Sequence, residues 1–334
     1  MATTATTARN TKTKVTGKNT TPRKAPARAK AATLRKTSAK GRPAATRKNA
    51  TARSTVVQAT APTVYEPGQG LNGPDPTLME RQSGIWNMLM DRYFRLEFDG
   101  FANLPDEPCL LVGVHSGGPL TMDAWTVIMA WWRKFGKTRS LHGTAHDVLM
   151  NTPVLGEYFR RLGVITPTRE NIREAFDRGD DVILWPGGEV DCYRNWTDRD
   201  KAVLGGRKGF IRLAMSAGVP IVPVATVGGH DTLFVLSEGR GLAKLLKLKE
   251  RMRMDVAPIT LSWPLGLALH ITPLQHLPLP AKIRTRIMEP IYLDKDPKRL
   301  DDQAYVDQMY ERIEGSIQAG MDELAKKRRF PVFG

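Results

Sequence analysis

The chain has 334 residues, 41% of them hydrophobic, with 50 Lys and Arg against 34 Asp and Glu and a formal charge of +16. Its 2 cysteines, Cys109 and Cys192, are too few for a disulfide framework or a cysteine zinc site, so a reducing, cytosolic setting is expected. No stretch of about 20 uninterrupted apolar residues is present, so a conventional membrane-spanning helix is not expected.

The charge is unevenly placed. Residues 1–65 hold 15 of the 50 basic residues and none of the 34 acidic ones, among Ala, Thr and Pro with few large apolar side chains. Such a segment cannot bury enough surface to offset the entropy of ordering, so a disordered basic tail is expected. It carries no apolar secretory core, so export is not expected. A polycationic arm attracts anionic lipid headgroups or nucleic acid by the same Coulomb and counterion terms, and its texture is similar to histone-H1-like tails; composition does not choose between them. Any nucleic-acid binding would run through the tail only, and a merely solubilising extension is the alternative. The body, residues 66–334, then holds 35 basic against 34 acidic residues, and its length suits one large domain.

Within the body, Leu78 to Leu96 has helical spacing of Ile85, Leu89, Tyr93 and Leu96, and the apolar run Cys109 to Val114 reads as a buried strand. A Trp-rich helix is expected from Met122 to Phe135, followed by an extended segment from Arg139 to Gly143 and helices over Val154–Leu162 and Glu170–Asp177. Asp181–Trp185 reads as a strand, Lys208–Ala217 as a helix, Pro220–Thr226 as a strand, Ile283–Met288 as a further strand and Asp301–Arg329 as a charged helix. Strands alternating with helices indicate an α/β fold with a mainly parallel central sheet flanked by helices. Between them, Val256 to Leu279 is apolar but punctuated by Pro258, Pro264, Pro273 and Pro278 and contains His270 and His276. That texture suits a loop or short helices against a membrane surface or lipid channel, and equally ordinary core packing.

Three clusters carry candidate chemistry. His115-Ser116-Gly117-Gly118 follows a buried strand and precedes Asp123, which presents an imidazole at a strand end with a carboxylate downstream to orient it as a general base; capping or packing is the structural alternative. In Trp185-Pro186-Gly187-Gly188-Glu189, two glycines let backbone N–H groups approach an anion, or make a tight turn, and Glu189 either holds an acceptor hydroxyl or pairs with a structural Arg. Arg207-Lys208-Gly209-Phe210 opens a helix where cations favour a phosphate, with a solvated helix face as the alternative; at Arg169-Glu170-Asn171, Thr168 or Asn171 can cap a helix. No Walker A loop and no Gly-x-Gly-x-x-Gly fingerprint is present.

Taken in order, these blocks resemble the glycerolipid acyltransferase superfamily, and more closely its monoacylglycerol/diacylglycerol acyltransferase-like branch. The matching residues are His115-Ser116-Gly117-Gly118 with Asp123, Gly156-x-x-Phe159 with Arg169-Glu170-Asn171, Leu184 to Glu189, Arg207 to Phe210 and Val219 to Val224, with Leu277 to Lys282 and Glu289-Pro290-Ile291 similar to the end of such domains. The superfamily's commonest first block has an Asp where Leu120 stands here; Asp123 comes three residues later, and Gly117-Gly118-Pro119 offers a loop to return the chain.

The resemblance implies an acyltransferase that moves a fatty acyl group from a thioester, acyl-CoA as donor substrate, to a hydroxyl of a lipid acceptor. His115 and Asp123 are then catalytic. Gly117, Gly118, Arg169, Pro186, Gly187, Gly188, Glu189, Arg207 and Lys208 are then substrate-binding. The glycine pairs would supply oxyanion donors, Arg207 and Lys208 would meet phosphate, and Glu189 with Arg169 would shape the acceptor site. No metal or other cofactor is implied. The expected setting is cytoplasmic, with peripheral contact to an anionic membrane surface. A non-catalytic lipid- or anion-binding protein of the same fold, or a nucleic-acid-associated protein acting through its tail, are the alternatives.

Overall fold

A computed structural model describes residues 70–252, 255–270, 276–330 and 332. The basic tail expected over 1–65 lies outside the described residues, as does Pro273.

The described chain opens with α1 (Pro76–Met88), whose N-cap Asp75 accepts the N–H groups of Thr77 and Leu78 and whose first residue is a proline with no donor to lose. Ile85, expected on the buried stripe, is 64% exposed, because only Met79 of this helix is fully covered. Then follow β1 (Glu97–Asp99), β2 (Leu110–Gly113), α2 (Met122–Phe135), β3 (Leu141–His142), α3 (Asp147–Met150), α4 (Pro153–Arg161), α5 (Arg169–Asp177) and β4 (Asp181–Leu184). The second half holds α6 (Gly188–Cys192), α7 (Gly209–Ala217), β5 (Ile221–Val227), β6 (Phe234–Ser237), α8 (Arg240–Leu245), α9 (Leu248–Met252), β7 (Ile259–Ser262), β8 (Gly266–Leu269), β9 (Arg284–Ile287) and α10 (Gln303–Lys326).

Six strands form the main sheet in the order β1-β9-β5-β2-β4-β3. β5, β2, β4 and β3 run parallel, while β9 pairs antiparallel with β5 and parallel with β1. Strand alternation loads both faces. Leu110, Val112, Val182, Leu184 and Ile221 point to the layer of α5, α7 and α10, whereas Leu111, Ile183, Val222 and Val224 meet Val127 and Trp131 of α2. The charged helix α10 buries Val306, Met309, Ile313, Ile317 and Met321 at three- and four-residue steps against the first of these faces, so its charge belongs to the other side.

The pair Arg139–Asp181 ties the start of the parallel strands together. Asp181 is fully buried, takes Arg139 Nη2 at 2.9 Å and accepts the Cys109 N–H at 3.0 Å. Burial and that carboxylate push the Cys109 thiol up, and Cys192, also free and buried, is raised by burial as well.

The proline-punctuated segment differs from expectation. Among its described residues, Ile259–Ser262 and Gly266–Leu269 form not short helices but the hairpin β7–β8, which joins β6 in a separate antiparallel sheet of order β6-β7-β8. Pro258, Pro264 and Pro278 stand at its edges and turn, where no ladder N–H is required, and the alternation of buried Thr260 and Ser262 with outward Leu261 is strand-like.

Candidate active site

β2 and β4 are neighbours in register, Val112 opposite Leu184, and both end at the same edge of the sheet. Their C-terminal ends therefore deliver His115 and Trp185 to one place, the edge where parallel sheets offer loops and strand ends to ligands. The two rings stack, centroids 4.8 Å apart and planes 9° from parallel. Gly113 permits this, since a Cβ there would lie 3.1 Å from Trp185 Nε1.

Asp123 sits in the first turn of α2 and is fully buried. Its Oδ2 lies 3.1 Å from His115 Nδ1, and its Oδ1 accepts the Ser116 N–H at 2.8 Å and the Ser116 hydroxyl at 3.1 Å. At the helix N-terminus, with two further donors on its other oxygen, this carboxylate is fixed in orientation. The loop between them turns through Gly117 and Gly118, at φ +82° and +69°, which lets the chain come back on itself within the eight residues from His115 to Asp123. With Nδ1 facing the carboxylate, the proton belongs on Nδ1 and Nε2 carries the lone pair. The His115 side chain remains 17% exposed, so that nitrogen is reachable.

A second buried carboxylate holds the histidine's backbone. Asp191, on α6, accepts the His115 N–H and pairs with Arg194, which donates through Nη1 to the His115 carbonyl at 3.2 Å. Arg194 also reaches the carbonyls of Asp198 at 3.1 Å and Arg199 at 3.2 Å. Burial pushes this guanidinium down to about 10, with Asp123 opposing. Beneath the loop, His230 is buried and held well below the usual histidine range by burial and by the Arg194 charge. Gly229 comes so close to Ser116 that any Cβ would collide with its hydroxyl.

Pro186-Gly187-Gly188 makes the turn into α6, and the Gly188 N–H is donated to Trp185 O at 3.2 Å. Arg207 closes over that turn, donating to Pro186 O at 3.0 Å and meeting Glu189 at 3.4 Å, so Glu189 has an arginine partner. Lys208 is bound elsewhere, to Asp307 of α10 at 2.7 Å, above the Tyr310 ring. Arg169 is exposed at the start of α5, where Thr168 is the cap, accepting the Asn171 N–H at 3.2 Å. The structure thus brings together His115, Asp123, Gly117 and Gly118, sets Trp185 beside them, and ties Lys208 to a different helix. Among the described residues no group of three or more His, Cys, Asp and Glu is arranged to hold a metal.

Asp191, Arg194 and His230 stand outside the sequence motifs, while Ser116 lies within the His115 motif and shows its role only through its contacts with Asp123. Asp191 and Arg194 stand three apart and read as an ordinary helix-surface pair; only burial distinguishes them.

Known proteins bear on this geometry. The chain is 27% identical over 243 residues to an uncharacterised protein of Mycobacterium leprae, covering 72% of this chain and 63% of that one. It is 29% identical over 199 residues to the DGAT1/2-independent enzyme synthesizing storage lipids of Gallus gallus, covering 59% of this chain and 52% of that one. It is 26% identical over 254 residues to the chloroplastic phytyl ester synthase 1 of Arabidopsis thaliana, covering 69% and 34%. Against the mycobacterial relatives the chain spans 63–65% of their length. Among solved structures, the 1-acyl-sn-glycerophosphate acyltransferase PlsC of Thermotoga maritima matches with a TM-score of 0.45 at 18% identity, covering 75% of this chain and 79% of that one. The Diacylglycerol acyltransferase family model matches residues 76–318, a span that contains His115, Asp123, Trp185 and Arg194, and this chain therefore belongs to that family.

Proposed function

We propose that this protein transfers a fatty acyl group from an acyl thioester, acyl-CoA, to the hydroxyl of a neutral lipid alcohol. The observation that carries the reading is the His115–Asp123 contact of 3.1 Å, with a buried carboxylate and a partly exposed imidazole at the end of a parallel strand. An alcohol is a weak nucleophile at neutral pH. His115 Nε2 takes the hydroxyl proton as the oxygen attacks the thioester carbonyl, and Asp123 stabilises the imidazolium. The tetrahedral intermediate then collapses: the C–S bond breaks, the ester C–O bond remains, and the imidazolium returns its proton to the departing thiolate to give the free thiol. No covalent enzyme intermediate is required. The Gly188 N–H is already donated within its own turn, which leaves the Gly117, Gly118 and Gly187 amides as the candidate oxyanion donors.

Charge supports a neutral acceptor. Arg207 and Lys208 both have carboxylate partners, Glu189 and Asp307. A phosphate-bearing acceptor would have to displace them, whereas a neutral alcohol would not. Family membership, and relatives whose names describe storage-lipid and phytyl-ester synthesis, agree with a lipid acceptor.

The test is purified full-length protein with labelled acyl-CoA and a panel of acceptors comprising monoacylglycerol, diacylglycerol, a long-chain alcohol and lysophosphatidate. Labelled neutral ester should form, and His115→Ala should lower its rate about a thousandfold at an unchanged melting temperature. No ester with any acceptor, or a His115→Ala protein that keeps its rate, would sink the proposal.

A further inference from the structure

Among the described residues the small sheet has one covered face and one largely exposed face, on which Phe234 packs against the Trp196 ring. In β7, Thr260 and Ser262 are buried while Leu261 is outward, and the register sets Leu261 opposite Phe234 of β6 and Leu267 of β8, a row of apolar side chains across all three strands. On that outer side Leu236 is 55% exposed, Leu261 47% and Leu267 68%, and at the hairpin tip Trp263 is 60% and Leu265 54% exposed. A contiguous apolar patch of this kind on a soluble surface marks an interaction site.

Its flank is basic. From Arg240 to Met252, the stretch that forms α8 and α9, the sequence has 5 Lys and Arg against 1 Glu; Arg240 and Lys249 pair with Glu238 and Asp255, and Lys244 and Lys247 flank the exposed leucines. This excursion packs through Ala243 and Leu248 on Ala257 with Leu269 against them, and Leu269 is the register partner of Ile259, two residues before Leu261 on the same side of β7. The excursion therefore borders the exposed face. Within it, Leu245 (78% exposed) and Leu246 (38% exposed) stand between the exposed Lys244 and Lys247. Leucines bracketed by lysines fit the boundary between acyl chains and headgroups: the leucines enter the apolar layer and the ammonium groups stay with lipid phosphates. A neutral protein partner would leave those lysines uncompensated, whereas an anionic bilayer satisfies both parts of the surface.

We propose that the outer face of β6-β7-β8 together with α8 and α9 is the surface by which this protein docks on an anionic lipid bilayer. The docking is independent of whether the His115 site transfers acyl groups, and its test reads binding alone. Cys109 and Cys192 are buried, so Leu265→Cys in the full chain offers one exposed thiol for an environment-sensitive fluorophore. Glu311→Cys, on the exposed side of α10, is the control. Vesicles of phosphatidylcholine mixed with phosphatidylglycerol should shift the emission of the label at 265 to the blue and leave the label at 311 unchanged. Vesicles of phosphatidylcholine alone should bind about tenfold more weakly. The double variant Leu265→Ser/Leu267→Ser should lower partition into the anionic vesicles about tenfold at an unchanged melting temperature. A label at 265 indifferent to vesicles would overturn the proposal, and so would a blue shift that follows protein concentration without lipid, which would make a second copy the occupant. Equal partition of the double variant would assign membrane binding to the basic tail and equally overturn it.

Discussion

Asp123 follows His115 by eight residues, yet its Oδ2 stands 3.1 Å from His115 Nδ1. The distance is set by two glycines in left-handed backbone, Gly117 and Gly118, and by the Ser116 N–H and hydroxyl, both donated to the other carboxylate oxygen. A spacing longer than the superfamily's commonest one is therefore compatible with the same contact, because the loop turns back instead of running on.

Asp123→Asn keeps an oxygen for the Ser116 N–H but removes the charge that stabilises an imidazolium and favours the wrong tautomer. Acyl transfer should fall about a thousandfold. Stability should fall by only about 1–3 kcal/mol, read by denaturant unfolding. Loss of activity in step with unfolding would instead make Asp123 a purely structural residue.

Asp191 and Arg194 form a buried pair that holds the His115 backbone from both sides, at its N–H and at its carbonyl. Removing one partner leaves a buried charge, so Asp191→Ala or Arg194→Met should each cost about 3–5 kcal/mol. The double variant should cost much less than the two together. A double-mutant cycle by chemical denaturation measures this coupling, and additive losses would rule out the strap.

Gly117→Ala places a methyl 2.5 Å from Thr232 Oγ1 and 2.8 Å from Gly229 O, on a backbone at φ +82°. The left-handed conformation alone costs about 1–2 kcal/mol for a residue with a Cβ. We expect lower thermal stability and a larger fall in kcat than in affinity for the donor, because the loop that carries His115 must shift. Steady-state kinetics beside a thermal melt distinguish this from global unfolding.

Stability should decline as pH falls from about 6.5 to 4.5. Burial pushes His276 down to about 4, with His270 pushing the same way, and His230 also lies well below its ordinary value. Between the folded and unfolded values the unfolded chain binds more protons, so unfolding free energy rises with pH across that window and is lost on acidification. For His276 the loss amounts to about 2 kcal/mol. The carboxylates held low by partners, such as Asp75 and Glu97, give up their contribution only below about pH 4.5. Denaturant titrations at a series of pH values should show the slope between the two ranges, and His276→Phe should flatten it.

Sequence alone determined the order and type of the main elements. The buried runs at Leu110–Gly113, Asp181–Leu184 and Ile221–Val227 and the amphipathic helices α2, α5 and α7 are written in local periodicity, which is a short-range property. It also placed His115 and Trp185-Pro186-Gly187-Gly188 at strand ends, because a buried run that stops at glycine and proline must open there. Only the tertiary structure decided which partners those residues have. The antiparallel entry of β9, the pairing of β6 with β7, the capture of Lys208 by Asp307 and the Asp191–Arg194 hold on His115 all join residues far apart in the chain or separated from surface pairs only by burial. Burial and through-space charge depend on what the rest of the chain packs around a residue, and no local pattern carries that information.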